Sequence, residues 1–517
     1  MKKNILTLFV LMLSSVLLST CAKPSDPATR SEASSLVDIV ERGKSEIFTV
    51  SLDRYTAGTE KLPIGVFDSG IGGLTVLEAI LQLDAFNNTT HEPGSDGRPD
   101  FEDERFIYLG DQANMPYGNY PSEQKTDFLR ELIIKDVVFL LGERYWPSAS
   151  AQMPRYDKSP VKAIVIACNT ATAYGLQKVN AALKQWRLPV RVIGIVEVGA
   201  DGAVQAIAGQ GGKGAIAVLA TVGTCKSEGY IRAVEQKAKE AGIMSPTVIQ
   251  QGCLGLAGAV EGDSSYICSP EKAQTVDYRG PAVDNQIAQM DPGLLEQYSF
   301  ETKGLLGDVN QPASWRLNSV ENYIRYHTAT LMESYRRSGN SEPIGAVILG
   351  CTHFPFYENE IAASFRRLHD FHQPNGMEPY KNLILDNPSF IDPAILTAKR
   401  LYETLMATDL LIEESDESAL DVDEFYISVP NTSLPGVKLA ETGGFTYEYK
   451  YGRDCGRFEW EYVKRVPMSN ENLSNAIREK IKAGMPVVWN RLVEFNRKSP
   501  RTRDLPNSAR IVLSNNN

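Results

Sequence analysis

Two cysteines lie in matching surroundings, far apart in this 517-residue chain. Cys168 is part of an Ala-Cys-Asn-Thr motif, and Cys351 is part of a Gly-Cys-Thr-His motif. Each follows an apolar run typical of a buried strand, at 162–166 and 344–349. Only the thiolate of a cysteine acts as a base or nucleophile. Two such loops suggest a pocket with one thiol on each side, where a proton leaves one face of a carbon and returns to the other.

Each of these thiols has polar neighbours suited to that chemistry. Cys168 begins a predicted helix, whose N-terminus favours a thiolate, and the next two residues, Asn169 and Thr170, can hold a carboxylate. His353 is placed to exchange a proton with Cys351. A lone cysteine is usually a small core residue. That interpretation is kept for Cys225, Cys253, Cys268 and Cys455, with a disulfide among these four left open.

Two more loops follow predicted strands. The segment 65–73 reads Gly-Val-Phe-Asp-Ser-Gly-Ile-Gly-Gly and places Asp68 where open α/β sheets bind ligands. Its glycines let the backbone approach an anion at the next helix, although it is not a Walker loop. The alternative is a tight turn in which Asp68 caps that helix. The segment 110–118 ends in Pro-Tyr-Gly, which exposes amide groups or, alternatively, forms a surface turn with a packing tyrosine.

The elements that must position these residues alternate between strands and helices. Strands are predicted at 64–67, 106–109, 163–167, 190–195, 215–220, 247–251, 346–349 and 390–391. Helices are predicted at 31–47, 75–83, 123–141, 170–184, 199–208 and 227–241. Such alternation indicates parallel sheets in an α/β fold, and continuous apolar strands indicate sheets covered on both faces.

Other stretches interrupt or follow this pattern. The segments 87–104, 146–160 and 263–319 are interpreted as loops or small accessory elements. The acidic run 413–424 is interpreted as a solvated linker. Beyond it, the aromatic stretches 445–451 and 458–462 resemble strands, and an amphipathic helix is predicted at 471–495.

Charge and composition exclude some classes of function. The net charge is −11 and there is no basic cluster, which makes the chain a poor candidate for binding nucleic acid. It contains neither a Cys-x-x-Cys nor a His-Glu-x-x-His motif, so no metal site is predicted.

The N-terminus has the pattern of an export signal. Two lysines precede an apolar stretch at 5–18, which is short for a membrane span, and Cys21 follows. We therefore expect a signal peptide at 1–21, with Cys21 as a lipid-attachment site, although Thr20 is unusual before such a cysteine. The alternative is an uncleaved N-terminal anchor. The expected location is the periplasm, or the membrane through that lipid.

Taken together, five motifs resemble those of the glutamate racemases, which belong to the cofactor-independent aspartate/glutamate racemase superfamily. They occur in the same order, at 65–73, 110–118, 167–171, 195–200 and 350–355. Two later segments, at 390–393 and 425–428, are also similar, so the resemblance covers residues 62–430 between the insertions. The combination of Asp-Ser-Gly-x-Gly-Gly with Cys-Asn-Thr and Gly-Cys-Thr-His is specific, whereas any one motif alone is weak.

The resemblance implies an α/β fold of two similar domains, each a mostly parallel sheet flanked by helices, with the active site between them. It also implies that Cys168 and Cys351 are the two bases, each removing the α-proton of one enantiomer, assisted by Asp68 and His353 respectively. The positions that would hold the amino-acid carboxylates and amine are Ser69, Tyr117, Gly118, Asn169, Thr170 and Thr352. Glu261 matches an active-site glutamate more loosely, because Gln250–Leu256 departs from the family's proline-bearing pattern.

The expected domain organisation combines the motifs with the insertions. It comprises a signal peptide (1–21), a leader (22–61), a first racemase domain (62–196 plus 355–430), a second racemase domain (197–354, with the insertion 263–319) and a C-terminal extension of unknown role (431–517).

The expected function is interconversion of L- and D-glutamate, which in this family supplies D-glutamate for peptidoglycan. No cofactor is expected, since no Schiff-base lysine motif for pyridoxal phosphate is identified. The expected partner is an amino-acid substrate, and a homodimer is left open. Export places the thiols in an oxidising compartment, away from the usual cytoplasmic role. Two alternatives therefore stay open: an exported racemase acting on aspartate or other amino acids, and an inactive amino-acid-binding homologue.

Overall fold

The computed structural model describes residues 35–512, apart from 273, 274, 276, 309 and 413–421. The expected signal peptide, Cys21 and most of the acidic run therefore lie outside the described residues. Among the helices within these bounds, none is long and apolar enough to cross a membrane.

The strands form two main sheets and one short pair. They are β1 (Ile64–Asp68), β2 (Phe106–Gly110), β3 (Ala163–Ile166), β4 (Arg191–Gly194), β5 (Ala215–Ala220), β6 (Val248–Gly252), β7 (Leu305–Leu306), β8 (Arg316–Leu317), β9 (Ile344–Gly350), β10 (Ile384–Ile391), β11 (Glu424–Pro430) and β12 (Val463–Pro467).

Helices lie between most of these strands. They are α1 (Leu36–Glu41), α2 (Leu74–Leu81), α3 (Thr126–Leu141), α4 (Asn169–Gln185), α5 (Ile195–Gly209), α6 (Val222–Lys226), α7 (Gly229–Glu240), α8 (Leu256–Glu261), α9 (Leu295–Tyr298), α10 (Val320–Arg337), α11 (Glu358–His369), α12 (Pro393–Met406), α13 (Tyr447–Gly452), α14 (Asn475–Gly484) and α15 (Pro486–Lys498). The mixed α/β fold with parallel-dominated sheets confirms the predicted class.

The first sheet has the strand order β12-β11-β2-β1-β3-β4. Its neighbouring strands are parallel, except for the antiparallel pair β11–β12. Helices cover both faces: Val66 of β1 packs in the core beneath α2, α12 and α15, and the adjacent Phe67 packs beneath α3 and α4. This two-sided burial explains why β1 and β3 are apolar throughout rather than alternating.

The second sheet has the order β10-β9-β5-β6, and all of its pairs are parallel. Four strands of the first sheet follow the same plan, because β2-β1-β3-β4 and β6-β5-β9-β10 place successive strands identically. In each set, the second strand along the chain pairs on one side of the first strand, and the third strand pairs on the other side. Ligands bind in α/β sheets where the strand order reverses in this way. The equivalent strands β3 and β9 precede Cys168 and Cys351, which accounts for the matching surroundings of the two cysteines.

The structure changes the expected grouping of residues in two places. The segment 355–430 was assigned to the first domain, but β10 within it pairs with β9 in the second sheet. The connection through α11 is a helical crossover, and such a crossover normally returns the chain to the same sheet. The C-terminal extension 431–517 is also part of the fold, since β12 extends the first sheet and α15 packs against α2.

Several predicted elements outside the sheets have different forms. Most of 445–451, expected as a strand, is the helix α13, and 458–462 precedes β12 rather than forming it. The helix predicted at 471–495 is two helices, because Pro486 begins a new one. The insertion 263–319 carries α9 and the pair β7–β8. The helix predicted at 31–47 is only α1 within the described residues, and Gly43 follows its end with a φ of +59°.

Candidate active site

A pocket lies where the carboxyl-terminal loops of both sheets meet. The first sheet supplies loops after β1, β2 and β3, and the second supplies loops after β5 and β9 together with α8. The residues that line the pocket are Asp68, Ser69, Met115, Pro116, Tyr117, Gly118, Cys168, Asn169, Thr170, Thr221, Ala257, Cys351, Thr352 and His353. Both cysteines of the matching motifs are among them.

The loops of the two sheets are closely packed around this pocket. A Cβ atom added to Gly72 would lie 2.5 Å from Oγ1 of Thr352, and one added to Gly118 would lie 2.8 Å from Oγ1 of Thr221. Both distances are too short for real side chains. Glycine at these two positions therefore allows loops from opposite sheets to touch and close the pocket.

Cys168 is the residue that caps α4. Its Sγ accepts a hydrogen bond from the backbone N–H of Ala171 at 3.4 Å, and its S–H faces Oγ of Ser69 at 3.7 Å. Burial and the negative charge of Asp68 raise the pKa of the Cys168 thiol far above its ordinary value. The thiol therefore stays protonated at neutral pH, and it can act as a proton donor.

Asp68 is buried at the end of β1 and serves two purposes. Its Oδ2 accepts the backbone N–H of Gly73 at 2.9 Å, so the carboxylate ties the loop before α2. The residue that caps α2 is Gly73, and not Asp68 as the capping alternative expected. It also lines the pocket with Cys168, and its negative charge acts on that thiol. Burial raises its pKa, against the opposing charge of His353 and the Gly73 N–H.

Cys351 has a different set of neighbours, which form a chain of three groups. Nδ1 of His353 lies 3.5 Å from Sγ of Cys351, and Nε2 of the same ring lies 2.7 Å from Oε1 of Glu261. Burial works against a charged imidazole, but Cys351 and Glu261 together raise the pKa of His353 well above its ordinary value. The ring is therefore a cation that donates to the sulfur on one side and to the carboxylate on the other.

Asn169 presents an unused donor to the pocket. Its Oδ1 accepts a hydrogen bond from the hydroxyl of Tyr230 at 2.5 Å, which fixes the orientation of the amide. Its buried Nδ2 has no hydrogen-bond partner among the residues that the structure describes. A buried N–H group normally has a partner. The amide is thus ready to donate to an acceptor atom of a bound ligand.

Three threonine hydroxyls lie next to this amide. Oγ1 of Thr170 is 3.0 Å from Oγ1 of both Thr221 and Thr224, and the latter two are also 3.0 Å apart. Thr170 and Thr221 line the pocket. Because a hydroxyl both donates and accepts, this group can reorient its hydrogens towards a carboxylate or an ammonium.

Tyr117 lines the pocket, but its hydroxyl is occupied elsewhere. The hydroxyl oxygen lies 2.5 Å from Oδ2 of Asp111 and 2.7 Å from Oδ2 of Asp136. Tyr117 therefore offers a ligand its ring or backbone rather than its hydroxyl.

Ten of the eleven predicted catalytic and substrate-binding residues line the pocket; the eleventh, Glu261, contacts His353 and Gln112 instead. Four lining residues were not singled out as site residues: Met115, Pro116, Thr221 and Ala257. Thr221 directly follows β5, the same end-of-strand position that identified Asp68, so the signal was present. Ala257 is a small apolar residue and carries no such signal.

The remaining described cysteines are remote from this chemistry. Cys225, Cys253, Cys268 and Cys455 are free thiols and do not line the pocket. No disulfide joins them in the described part of the chain.

Comparison with known proteins points to one group of enzymes, although no family model matches the chain. It is 38% identical over 176 residues to a glutamate racemase of Enterococcus faecalis, a span of 34% of this chain and 47% of that protein. It is 35% identical over 183 residues to one of Levilactobacillus brevis, 35% and 50% of the two chains. It is 29% identical over 228 residues to glutamate racemase 1 of Caldanaerobacter subterraneus, 44% and 65% of the chains.

Solved structures of glutamate racemases also align with it. One from Bacillus anthracis has a TM-score of 0.41 and 22% identity, covering 71% of this chain and 88% of that one. One from Francisella tularensis in complex with D-glutamate has a TM-score of 0.38 and 20% identity, covering 76% and 95%. The chain spans about half the length of the first relatives that it matches in sequence. Over that span, its sequence is similar to those of glutamate racemases.

Proposed function

We propose that this chain is a racemase that interconverts L- and D-glutamate by two-thiol proton transfer at the α-carbon. One observation carries the proposal: Cys168 and Cys351 line the same pocket, and each has its own buried ionisable partner. A pocket with a single thiol would suit a nucleophile. Two thiols from equivalent strands of two sheets suit removal of a proton from one face and its return to the other.

The proposed reaction conserves protons at the site. One thiolate takes the α-proton and becomes a thiol, while the electron pair of the C–H bond remains on the carbon. The other thiol then gives its proton to the opposite face of that carbon and becomes a thiolate. The product has the opposite configuration, and the two sulfurs have exchanged protonation states. The reverse reaction starts from that exchanged state.

The electrostatics of the pocket support a particular starting state. The raised pKa of Cys168 makes this residue the proton donor. The His353 cation lies 3.5 Å from the sulfur of Cys351, so Cys351 is the base of the first turnover. Preorganised donors stabilise developing negative charge best in a pocket that excludes water. The free amide N–H of Asn169 is suited to that purpose.

The test is proton exchange in deuterated water. Protein lacking residues 1–21, kept reduced and without added pyridoxal phosphate, is expected to racemise glutamate and to introduce deuterium at the α-carbon. Cys168→Ala and Cys351→Ala should each abolish racemisation. Cys253→Ala is the matched control, because this buried thiol lies outside the pocket, and it should leave the rate unchanged.

Other outcomes would select the alternatives. Exchange with aspartate or another amino acid, but not with glutamate, would indicate a racemase of different specificity. Exchange with none of the amino acids under reducing conditions would refute the enzyme and leave an amino-acid-binding homologue.

The cellular role is a separate part of the proposal. A glutamate racemase supplies D-glutamate for peptidoglycan, and the sequence of residues 1–21 supports export with a lipid on Cys21. Mass spectrometry of the mature N-terminus tests the anchor. An N-terminal peptide without lipid on Cys21 would remove that part and leave the chemistry untouched.

A further inference from the structure

The loop after β2 builds one wall of the pocket but has little regular structure. We call residues 111–118 the pocket loop; four of them, Met115 to Gly118, line the pocket. The loop contains only short 3-10 turns, at Gln112–Asn114 and from Tyr117 onwards. Such turns make fewer and poorer internal hydrogen bonds than an α-helix. The position of this wall therefore depends on bonds to other parts of the chain.

One of these bonds comes from Arg453, far along the chain. Its Nη2 donates to Oδ1 of Asn114 at 2.6 Å. Nδ2 of Asn114 in turn donates to both carboxylate oxygens of Asp111 at 2.9 Å. The Arg453 side chain is buried, and its guanidinium lies 4.6 Å from the ring centre of Phe445 and 5.1 Å from that of Phe128. These contacts hold the cation in one orientation.

The next two residues of the loop are bound by the same segment. Nζ of Lys450 donates to the backbone carbonyl of Met115, and the hydroxyl of Tyr451 donates to that of Pro116 at 3.4 Å. Burial and the nearby Arg453 lower the pKa of Lys450 to about 8, so it is largely charged at neutral pH. A charged donor makes a stronger hydrogen bond than a neutral one.

Three consecutive residues of the pocket loop are thus each held by a donor from residues 447–453, which we call the C-terminal clamp. We propose that this clamp completes the active site by positioning the pocket loop against the substrate. The clamp lies beyond residues 62–430, the part of the chain that resembles the racemases. This inference rests on the proposed function for its kinetic consequence but not for its structural one.

A further bond from the C-terminal extension supports the same loop through Asp136. Nη2 of Arg465 in β12 donates to Oδ1 of Asp136 at 2.8 Å, and both groups are buried. The other oxygen of Asp136 is in contact with the hydroxyl of Tyr117. Asp136 therefore holds the hydroxyl end of Tyr117 in place, and Tyr117 also lines the pocket. Residues that act in this way are positioning residues, since none of them reaches the pocket itself.

Lys450→Met provides the sharpest test, because Met matches the lysine side chain as far as Cε and removes the charged donor. The matched control is Lys464→Met. Lys464 also belongs to the C-terminal extension, and its Nζ donates to the carbonyls of Ala149 and Ala151 at 2.9 and 2.8 Å, outside the pocket. Tyr451→Phe is a second, milder variant that removes one hydroxyl. Thermal unfolding of all three shows how much stability each change removes.

Two readouts separate positioning from simple stabilisation. In steady-state racemisation, Lys450→Met should raise KM for glutamate about tenfold, the loss expected for one charged hydrogen bond, whereas Lys464→Met should leave KM unchanged. In hydrogen exchange followed by mass spectrometry, the peptide containing residues 111–118 should exchange at least about tenfold faster in Lys450→Met, faster to a smaller extent in Tyr451→Phe, and unchanged in Lys464→Met.

The outcomes distinguish this inference from the proposed function. If wild-type protein racemises no amino acid, the proposed function fails, and the exchange measurement still decides whether the clamp holds the loop. Unchanged exchange of the loop in both Lys450→Met and Tyr451→Phe would overturn the clamp. Faster exchange with an unchanged KM in an active enzyme would overturn its role in the active site.

Discussion

The contact between His353 and Glu261 allows a quantitative prediction. Glu261→Gln replaces the carboxylate with an amide of nearly the same shape and removes its negative charge. The carboxylate accepts a hydrogen bond from Nε2 at 2.7 Å, and both groups are buried, so solvent does not screen the interaction. Without the charge, the pKa of His353 should fall, and the cation beside Cys351 should become less stable.

The size of the effect follows from the kind of hydrogen bond that is lost. A hydrogen bond to a charged group contributes about 1.5–3 kcal/mol and a neutral one about 0.5–1.5 kcal/mol. The substitution changes the first kind into the second, a difference of about 1–2 kcal/mol. We therefore expect kcat/KM to fall by about 5- to 30-fold.

Isotope effects should show which proton transfer is slowed. The two enantiomers have equal free energy, so kcat/KM must fall equally in both directions. The transfer through Cys351 should nevertheless become more rate-limiting than the transfer through Cys168. With α-deuterated substrates, the primary isotope effect should rise for the enantiomer whose proton Cys351 removes, and fall for the other. Racemisation followed by circular dichroism measures both values.

A matched substitution away from the pocket is the control. Glu333 is also buried and is paired with Arg336 and Arg337, so Glu333→Gln should lower stability without changing either isotope effect. The reasoning is refuted if Glu261→Gln leaves kcat/KM unchanged. It is also refuted if the two isotope effects stay equal to those of the wild type while the rate falls.

Two further predictions concern stability. Burial lowers the pKa of His327 to about 3, whereas an unfolded chain binds that proton near pH 6.5, so acidification from pH 7 to pH 5 favours unfolding. Wild type should lose about 2 kcal/mol more than His327→Asn over this range in urea denaturation, and equal losses would contradict the assignment. Arg465→Met leaves Asp136 buried without its cation. The pKa of Asp136, which burial and Asp111 already raise to about 7, should then rise further. Thermal unfolding should therefore show a loss of about 3 kcal/mol at pH 8 and a smaller one at pH 5, and an equal loss at both would argue against this pairing.

Local patterns in the sequence predicted eight of the ten strands in the two main sheets, but not β11 or β12. Segments such as 163–167 and 215–220 are short and wholly apolar because helices cover both faces of each sheet, and this leaves a clear pattern. The sheet to which a strand belongs is a different matter. Sheet membership depends on pairing between distant residues, so β10 was grouped with the wrong sheet although its last two residues, 390–391, were identified as a strand.

The candidate site was predictable where it follows strand ends. Asp68, Cys168 and Cys351 all lie at or just after such ends, and a motif identifies each of them. The contacts of Lys450 and Arg453 have no such signal. They join residues more than 300 positions apart, and aromatic residues around them suggested a strand where the structure has a helix.

The discontinuous build of the first sheet has a consequence for how the protein is made. All strands of the second sheet lie within residues 215–391, whereas the first sheet begins with β1 and ends with β11 and β12. At ~5–20 residues per second, the ribosome needs roughly 15–60 s to reach β11 after β2 has emerged. Throughout that interval one edge of the wholly apolar strand β2 has no partner, and such edges template aggregation. The second sheet is therefore complete before the first, whose edge at β2 is covered only when β11 has been made.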